Sequence, residues 1–127
     1  MNKALEVLQE WMKGINTADV EKLLGLYNDK AVLIPTFSNR LLDTKEKIQD
    51  YFEKVGSKKQ LSITLHENTV ITQELASNVF SISGIYNWKF EIDGELYNFE
   101  ARFSYIFDLN KEKPILHHHS SQIPRML

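Results

Sequence analysis

Three adjacent histidines near the carboxyl end carry the clearest chemical signal in this chain. They occupy positions 117–119 within the segment Ile115 to Gln122, which reads ILHHHSSQ. Imidazole titrates near neutral pH, forms hydrogen bonds through both ring nitrogens and ligates metals. The cluster therefore indicates anion binding, acid–base chemistry or metal binding.

The segment is typical of a β-strand, in which successive side chains point to opposite faces of the sheet. His117 and His119 then share one face, and His118 takes the other. If the preceding strand pairs with this one, Arg102 and Ser104 lie beside the histidine pair. A guanidinium next to two imidazoles favours a carboxylate or another anion, so we predict that Arg102, His117 and His119 bind a ligand.

Each of these residues also has a purely structural alternative. A buried histidine often only hydrogen-bonds a backbone carbonyl, and Arg102 has Glu100 nearby in sequence as an ion-pair partner. We expect His118 to point away from the pocket, toward a subunit interface. A metal site needs a third ligand, and no HExxH spacing supplies one, so no metal is expected. No G-x-S-x-G segment or cysteine suggests a nucleophile.

Length and composition narrow the function classes. The 127 residues make one ordinary domain, 1–127, and a formal net charge of −2 gives no attraction to nucleic acid or to an anionic membrane surface. Cysteine is absent, which fits a reducing compartment. No apolar run approaches a membrane span of roughly 20 residues. We therefore expect a cytoplasmic protein with neither a nucleic-acid nor a membrane partner.

The elements that must position these residues follow from hydrophobic periodicity. Apolar spacings of three and four predict a helix around Leu5 to Ile15, and a second that starts at Asn16 or Thr17 and runs to Tyr27. A capping box at Asp43 starts a third helix, which ends at Gly56. The period then changes to two, which predicts strands at about 61–65, 69–74, 79–92, 96–108 and 114–122, after an early strand at 31–35.

An Asp93-Gly94 pair between two of these strands predicts a tight hairpin. Three helices followed by antiparallel strands make an α+β domain, with the helices on one face of a curved sheet. Phe103, Tyr105 and Phe107 share one face of their strand, which we expect to meet a partner subunit.

Aromatic residues on the helices and strands have two interpretations. Aromatic residues along one face of a helix that pack against aromatic residues of a sheet usually form part of the hydrophobic core. If the helices do not fill the curved sheet, the same residues line an apolar cavity. Tyr27, Tyr86 and Trp88 are therefore further candidates for ligand binding, and Tyr27 or Tyr86 for proton transfer.

Three stretches resemble a known group. They are the segment from Asp19 to Pro35, the segment Glu100-Ala101-Arg102-Phe103 and the C-terminal segment from His117 to Pro124. The chain resembles the nuclear transport factor 2-like (SnoaL-like, cystatin-like) superfamily. Within it, the chain is most similar to bacterial proteins related to the association domain of calcium/calmodulin-dependent protein kinase II.

The resemblance implies a cone of three helices against a strongly bent antiparallel sheet, with a pocket between them and self-association through the other sheet face. It places Arg102, His117 and His119 at matching pocket positions, whereas Asn87 or a neighbour stands where the family has another pocket arginine. The implied function is binding of a small, mostly apolar organic ligand, with an anion among the alternatives, in a homodimer or larger homo-oligomer.

Two other functions remain open at this point. One is a cofactor-free isomerase, cyclase or dehydratase that uses a histidine or carboxylate as general base. The other is a purely structural domain whose cone is filled by side chains. No nicotinamide or flavin fingerprint such as G-x-G-x-x-G occurs, so no cofactor is expected.

Overall fold

The computed structural model describes residues 2–124. Three helices occupy the first half of the chain: α1 (Lys3–Asn16), α2 (Val20–Leu26) and α3 (Lys45–Gly56). Asp19 caps α2 by accepting a hydrogen bond from the backbone N–H of Lys22 at 3.1 Å, and Thr44 caps α3. The predicted starts of α2 and α3 were therefore wrong by a few residues, because Asp19 and Thr44 satisfy the free N–H groups at these helix ends.

Six strands complete the domain. They are β1 (Tyr27–Ile34), β2 (Ser62–Leu65), β3 (Ile71–Ala76), β4 (Val79–Ile92), β5 (Glu95–Asp108) and β6 (Ile115–Gln122). The strand order is β1-β6-β5-β4-β2, with β3 also paired to β4, and the sheet is curved but not closed. Every pair is antiparallel except β1 with β6, which is parallel. This architecture confirms the predicted α+β fold class.

The hairpin between β4 and β5 confirms the turn predicted from sequence. Asp93 and Gly94 both have positive φ, 51° and 83°. Positive φ at both central residues is what a type I′ turn requires, and its twist matches that of the flanking strands. The turn lets both 14-residue strands pair along their whole length, from Val79–Asp108 to Ile92–Glu95.

The aromatic side of β5 decides which face of the sheet the helices cover. Phe103, Tyr105 and Phe107 are only 4%, 0% and 0% exposed and belong to the core beneath the helices. The expectation that they form a partner-facing surface is therefore wrong. Helices pack on the sheet face that buries more apolar area, and three aromatic rings bury more than the Arg102 and Ser104 side of the same strand.

A loop of residues 35–44 joins β1 to α3 and folds back across the end of the sheet. Leu33 and Leu42 exchange both backbone hydrogen bonds, each 2.8 Å, which ties the loop to β1. The loop carries Phe37 and Arg40 to the open end of the cone. In the part of the chain that the structure describes, no helix is long and apolar enough to cross a membrane.

Candidate functional site

A cavity of about 750 Å³ opens between α3 and the end of strands β4 and β5 that carries their hairpin turn. One face of α3 lines it, through Lys47, Asp50, Tyr51, Lys54 and Val55. These positions follow the i, i+3, i+4, i+7, i+8 spacing of a single helix face, so one helix supplies both an apolar and a charged wall. Volumes of roughly 300–1,000 Å³ are typical of small-molecule sites.

Aromatic side chains form the inner floor of this cavity. Phe37 packs edge-on against Trp88, Phe90 and Phe99, with ring centroids 5.3, 5.2 and 5.4 Å away. Edge-to-face contacts at these distances are a favourable aromatic geometry. Phe37 thus closes the floor of the cavity, and a ligand there meets ring faces and edges rather than polar groups.

Charged side chains surround the mouth. Arg40 comes from the loop, whereas Lys47, Lys54 and Lys58 come from α3 and the turn after it, and Asp50 lies among them. This makes four cations and one carboxylate around an apolar floor, although the whole chain carries a net charge of −2. The mouth of the cavity is therefore a local cationic rim on a mildly acidic protein.

A second group of polar atoms lies deeper in the cone and is completely buried. The indole Nε1–H of Trp11 donates to the hydroxyl of Tyr27 at 2.9 Å, and that hydroxyl lies 2.8 Å from Nδ1 of His118. On the other side of the imidazole, Nε2 lies 3.1 Å from the hydroxyl of Tyr86. The His118 ring also stacks on Tyr105, with centroids 3.8 Å apart. We call Trp11, Tyr27, Tyr86 and His118 the inner cluster.

The donors of the inner cluster determine where its protons sit. An indole N–H can only donate, so the oxygen of Tyr27 accepts from Trp11. Within residues 2–124 this hydroxyl has one other partner, Nδ1 of His118, and donating to it leaves no buried hydroxyl proton unpaired. A neutral imidazole then carries its hydrogen on Nε2 and donates it to Tyr86. Burial, with a smaller effect from the neighbouring imidazoles of His117 and His119, lowers the pKa of His118 well below its usual value. His118 is therefore a neutral, fully hydrogen-bonded imidazole at pH 7.

The tyrosines of the inner cluster are equally neutral. Burial raises the pKa of Tyr27 and of Tyr86 well above the usual range, because each phenolate would lie in an apolar interior. Among residues 2–124, two more buried polar atoms near the cluster have no hydrogen-bond partner, Nε1 of Trp88 and the hydroxyl of Tyr105. Leaving such a group unpaired costs about 1–3 kcal/mol, and the cone therefore retains unused hydrogen-bonding capacity at its base.

The sequence matches the calcium/calmodulin dependent protein kinase II association domain over residues 2–124. The chain belongs to this association-domain family. No curated protein shows significant similarity to it.

Solved structures agree with this assignment. A Xanthomonas campestris protein assigned to the same association domain is 25% identical, with a TM-score of 0.87 over 98% of this chain and 88% of that one. The association domain of C. elegans CaMKII is 16% identical, with a TM-score of 0.75 over 94% and 92% of the two chains. A Streptomyces avermitilis protein assigned as a dehydratase of the NTF2-like family is 10% identical, with a TM-score of 0.81 over 96% and 95%. The last two show the fold alone, and together with the family match they confirm the resemblance seen in the sequence.

In this association domain, the predicted site residues separate into two groups. Tyr27, Tyr86 and Trp88 point into the cone and are 3%, 0% and 1% exposed. Arg102 and His119 lie on the outer sheet face and are exposed, and His117 on the same face is half-buried. The structure thus brings the aromatic candidates together but places the charged ones on the other side of the sheet.

The predicted orientation of the histidines was wrong. In the register of β5 and β6, His118 stands opposite Tyr105 and is buried, whereas His119 stands opposite Ser104 on the outer face. The expected grouping of His117 and His119 with Arg102 is observed, but this group does not line the space between helices and sheet. A ligand-binding role for Arg102, His117 and His119 stays a prediction, and it now concerns the outer face.

Sequence reasoning missed the residues of the cavity mouth. Lys47, Lys54 and Lys58 were present at helical spacing, but α3 was interpreted through its apolar stripe alone. Arg40 and Phe37 lie in a loop without periodicity, so no pattern indicated them. His118 was predicted to point outward; it shares a face with Tyr105, and it lies inside because the helices cover that face of the sheet.

Proposed function

We propose that this chain is a self-associating domain that binds a small, mostly apolar organic ligand in the cavity beneath α3. The observation that carries the proposal is a cavity of about 750 Å³ with an aromatic floor, which side chains of the cone do not fill. The third interpretation of the sequence, a cone filled by side chains, requires that no such cavity exist. An apolar ligand would gain roughly 25 cal/mol for each Å² of surface that it removes from water here.

Binding of an uncharged fluorescent probe tests this proposal. N-phenyl-1-naphthylamine brightens in apolar sites, so titration of the purified protein should give saturable fluorescence. Phe90→Ala should weaken the probe about fivefold to tenfold, because Phe90 forms part of the cavity wall. Phe80→Ala changes the same residue type on the same strand away from the cavity and should leave the affinity unchanged. Absence of saturable binding to the wild-type protein would refute the ligand-binding proposal.

Self-association is the second part of the proposal, and the outer sheet face is the surface that supports it. Small and β-branched side chains occupy its centre, namely Ser81, Ser83, Ile85, Ser104, Ile106 and Ser121, and all are half-buried without being core. Serines at the centre of a sheet face allow a second sheet to approach closely. A symmetric contact of this kind presents the same patch from both subunits.

Sedimentation velocity at micromolar concentration tests the assembly. The wild-type protein should sediment as a dimer or larger species. Ser104→Lys places two like charges at the centre of the proposed contact and should shift the protein toward the monomer. Ser77→Lys introduces the same side chain in an exposed turn and should not. A monomeric wild-type protein, or equal behaviour of both variants, would contradict the proposed surface.

A cofactor-free enzyme is the second candidate function, and the inner cluster favours it. His118 is kept neutral by burial and lies between two tyrosine hydroxyls, and the enzyme proposal requires a carbonyl compound to displace one of these hydroxyls before the imidazole exchanges a proton with it. Deuterium exchange at the α-carbons of 2-tetralone, followed by NMR, measures such an activity. The enzyme proposal expects acceleration over the uncatalysed rate and its loss in His118→Gln. Equal exchange rates with wild type and variant would reject it.

A further inference from the structure

We infer that the cavity takes an amphipathic anion in one orientation, with the apolar body inward on Phe37 and the anionic head outward between Arg40 and Lys58. This inference rests on the proposed ligand-binding function and adds the chemical class and the direction of the ligand. It differs from the arrangement implied by the resemblance, in which Arg102 would meet an anion inside the pocket.

Charge pairing at the mouth singles out two of the four cations. Lys47 pairs with Asp43 at 3.1 Å, and Lys54 pairs with Asp50 at 3.0 Å. Among residues 2–124, neither Arg40 nor Lys58 forms an ion pair with a carboxylate. The rim therefore keeps about two positive charges without a carboxylate partner, and one carboxylate, sulfonate or phosphate head has enough oxygens to accept charge-assisted hydrogen bonds from both.

The positions of these two cations define where the head lies. Lys58 follows the end of α3, and its Nζ lies 5.8 Å from the centre of the Phe90 ring. Phe90 belongs to the aromatic floor, so the ammonium group stands at the boundary between apolar wall and solvent. Arg40 lines the same cavity from the loop of residues 35–44. An anion between Arg40 and Lys58 would therefore stay at the mouth, with its substituent directed toward the floor.

The base of the cone does not suit an anion. Tyr51 lines both the cavity and a narrow crevice that leads toward Trp88, Ser120 and His118. None of the residues that line this crevice is a lysine or arginine, and burial keeps His118 uncharged. A carboxylate moved there would lose its hydration without gaining a cation, a cost of several kcal/mol. Arg102 cannot pair with a carboxylate at the base of the cone, because it lies on the opposite face of the sheet.

Two naphthalene probes that differ in charge test the inference. 8-Anilino-1-naphthalenesulfonate and N-phenyl-1-naphthylamine share the same aromatic body, but only the first carries an anionic head. The wild-type protein should bind the sulfonate about tenfold more tightly than the amine at low salt. Arg40→Gln combined with Lys58→Gln should remove that preference, while the affinity for the amine changes less than twofold.

A matched double variant controls for net charge. Lys45→Gln combined with Lys111→Gln also removes two positive charges, from exposed residues that do not line the cavity, and should leave both affinities unchanged. Raising sodium chloride from 50 to 500 mM should weaken the sulfonate with the wild-type protein and have little effect with the Arg40/Lys58 variant, because salt screens exposed charges.

Three results would overturn the inference. If the Arg40/Lys58 variant weakens both probes equally, the two cations shape the cavity and do not hold a head group. If the wild-type protein binds the amine as tightly as the sulfonate, the cavity binds apolar ligands without fixing the orientation of an anionic head. The ligand-binding proposal then stands, and this inference fails. If neither probe binds, the ligand-binding proposal and this inference fail together.

Discussion

Replacing Tyr27 with phenylalanine removes a single oxygen and breaks two buried hydrogen bonds. The indole N–H of Trp11 loses its acceptor at 2.9 Å, and Nδ1 of His118 loses its donor at 2.8 Å. Trp11 and His118 are 0% and 2% exposed, so water cannot replace the lost partner without entering the core. A buried polar group left without a partner costs about 1–3 kcal/mol, which predicts a loss of about 2–6 kcal/mol from two of them.

Urea unfolding followed by tryptophan fluorescence measures this loss at a fixed protein concentration, since assembly contributes to apparent stability. With a slope of roughly 2 kcal/mol per molar urea, the midpoint should fall by about 1–3 M. Tyr97→Phe removes the same atom from a residue that is 42% exposed and bonded to Glu95 at the surface. That control should change stability by less than about 0.5 kcal/mol.

The reasoning would be refuted by a Tyr27→Phe protein within 0.5 kcal/mol of the wild type. Such a result would mean that the interior repacks around the two orphaned groups or that their hydrogen bonds contribute nothing net. An equal loss in Tyr27→Phe and Tyr97→Phe would also contradict it, because exposure would then have no influence on the cost.

Two further predictions concern pH and close packing. Because burial lowers the pKa of His118, the unfolded chain binds more protons below about pH 6.5, so stability should fall there by up to about 1.4 kcal/mol per pH unit. Denaturation profiles at pH 5 to 8 should show this slope in the wild type and in His119→Gln, and should lose it in His118→Gln. A Cβ added at Gly84 would lie 2.9 Å from Cζ of Phe103, so Gly84→Ala should lower stability by about 1–3 kcal/mol. The same change at exposed Gly25, where a Cβ meets nothing within 4 Å, should raise it by about 0.5–1 kcal/mol; equal effects at the two glycines would reject the packing argument.

The outer sheet face carries half-buried serine and isoleucine side chains. A sheet covered by helices on one side alone leaves its other side to solvent or to a partner. On the outer face, β-branched Ile85 and Ile106 flank Ser83 and Ser104 in register. The assembly proposal therefore rests on Ile85 and Ile106, whose half-buried apolar side chains a second subunit would cover.

Several features of the fold could be predicted from sequence because they depend on local periodicity. The helices follow from apolar spacings of three and four, and the Asp93-Gly94 turn follows from the positive φ that it requires. Tyr27, Tyr86 and Trp88 belong to the core inside the cone, none of the three lines the cavity of about 750 Å³, and their ligand-binding role stays a prediction. The alternation along β5 and β6 also gave the correct partition of residues between the two faces.

Which of these two faces lies beneath the helices was decided by the tertiary structure alone. Alternation states which side chains share a face, but it carries no information on which face the helices cover. The face of β5 with Phe103, Tyr105 and Phe107 is apolar enough either for the core or for a subunit interface, so the sequence supported either choice. The helices cover the side with Phe103 and Tyr105, which buries the larger aromatic area, and His118 goes inward with them. The mouth of the cavity depended on tertiary structure in the same way, because Arg40 and Lys58 are distant in sequence and only the folded chain places both around one cavity.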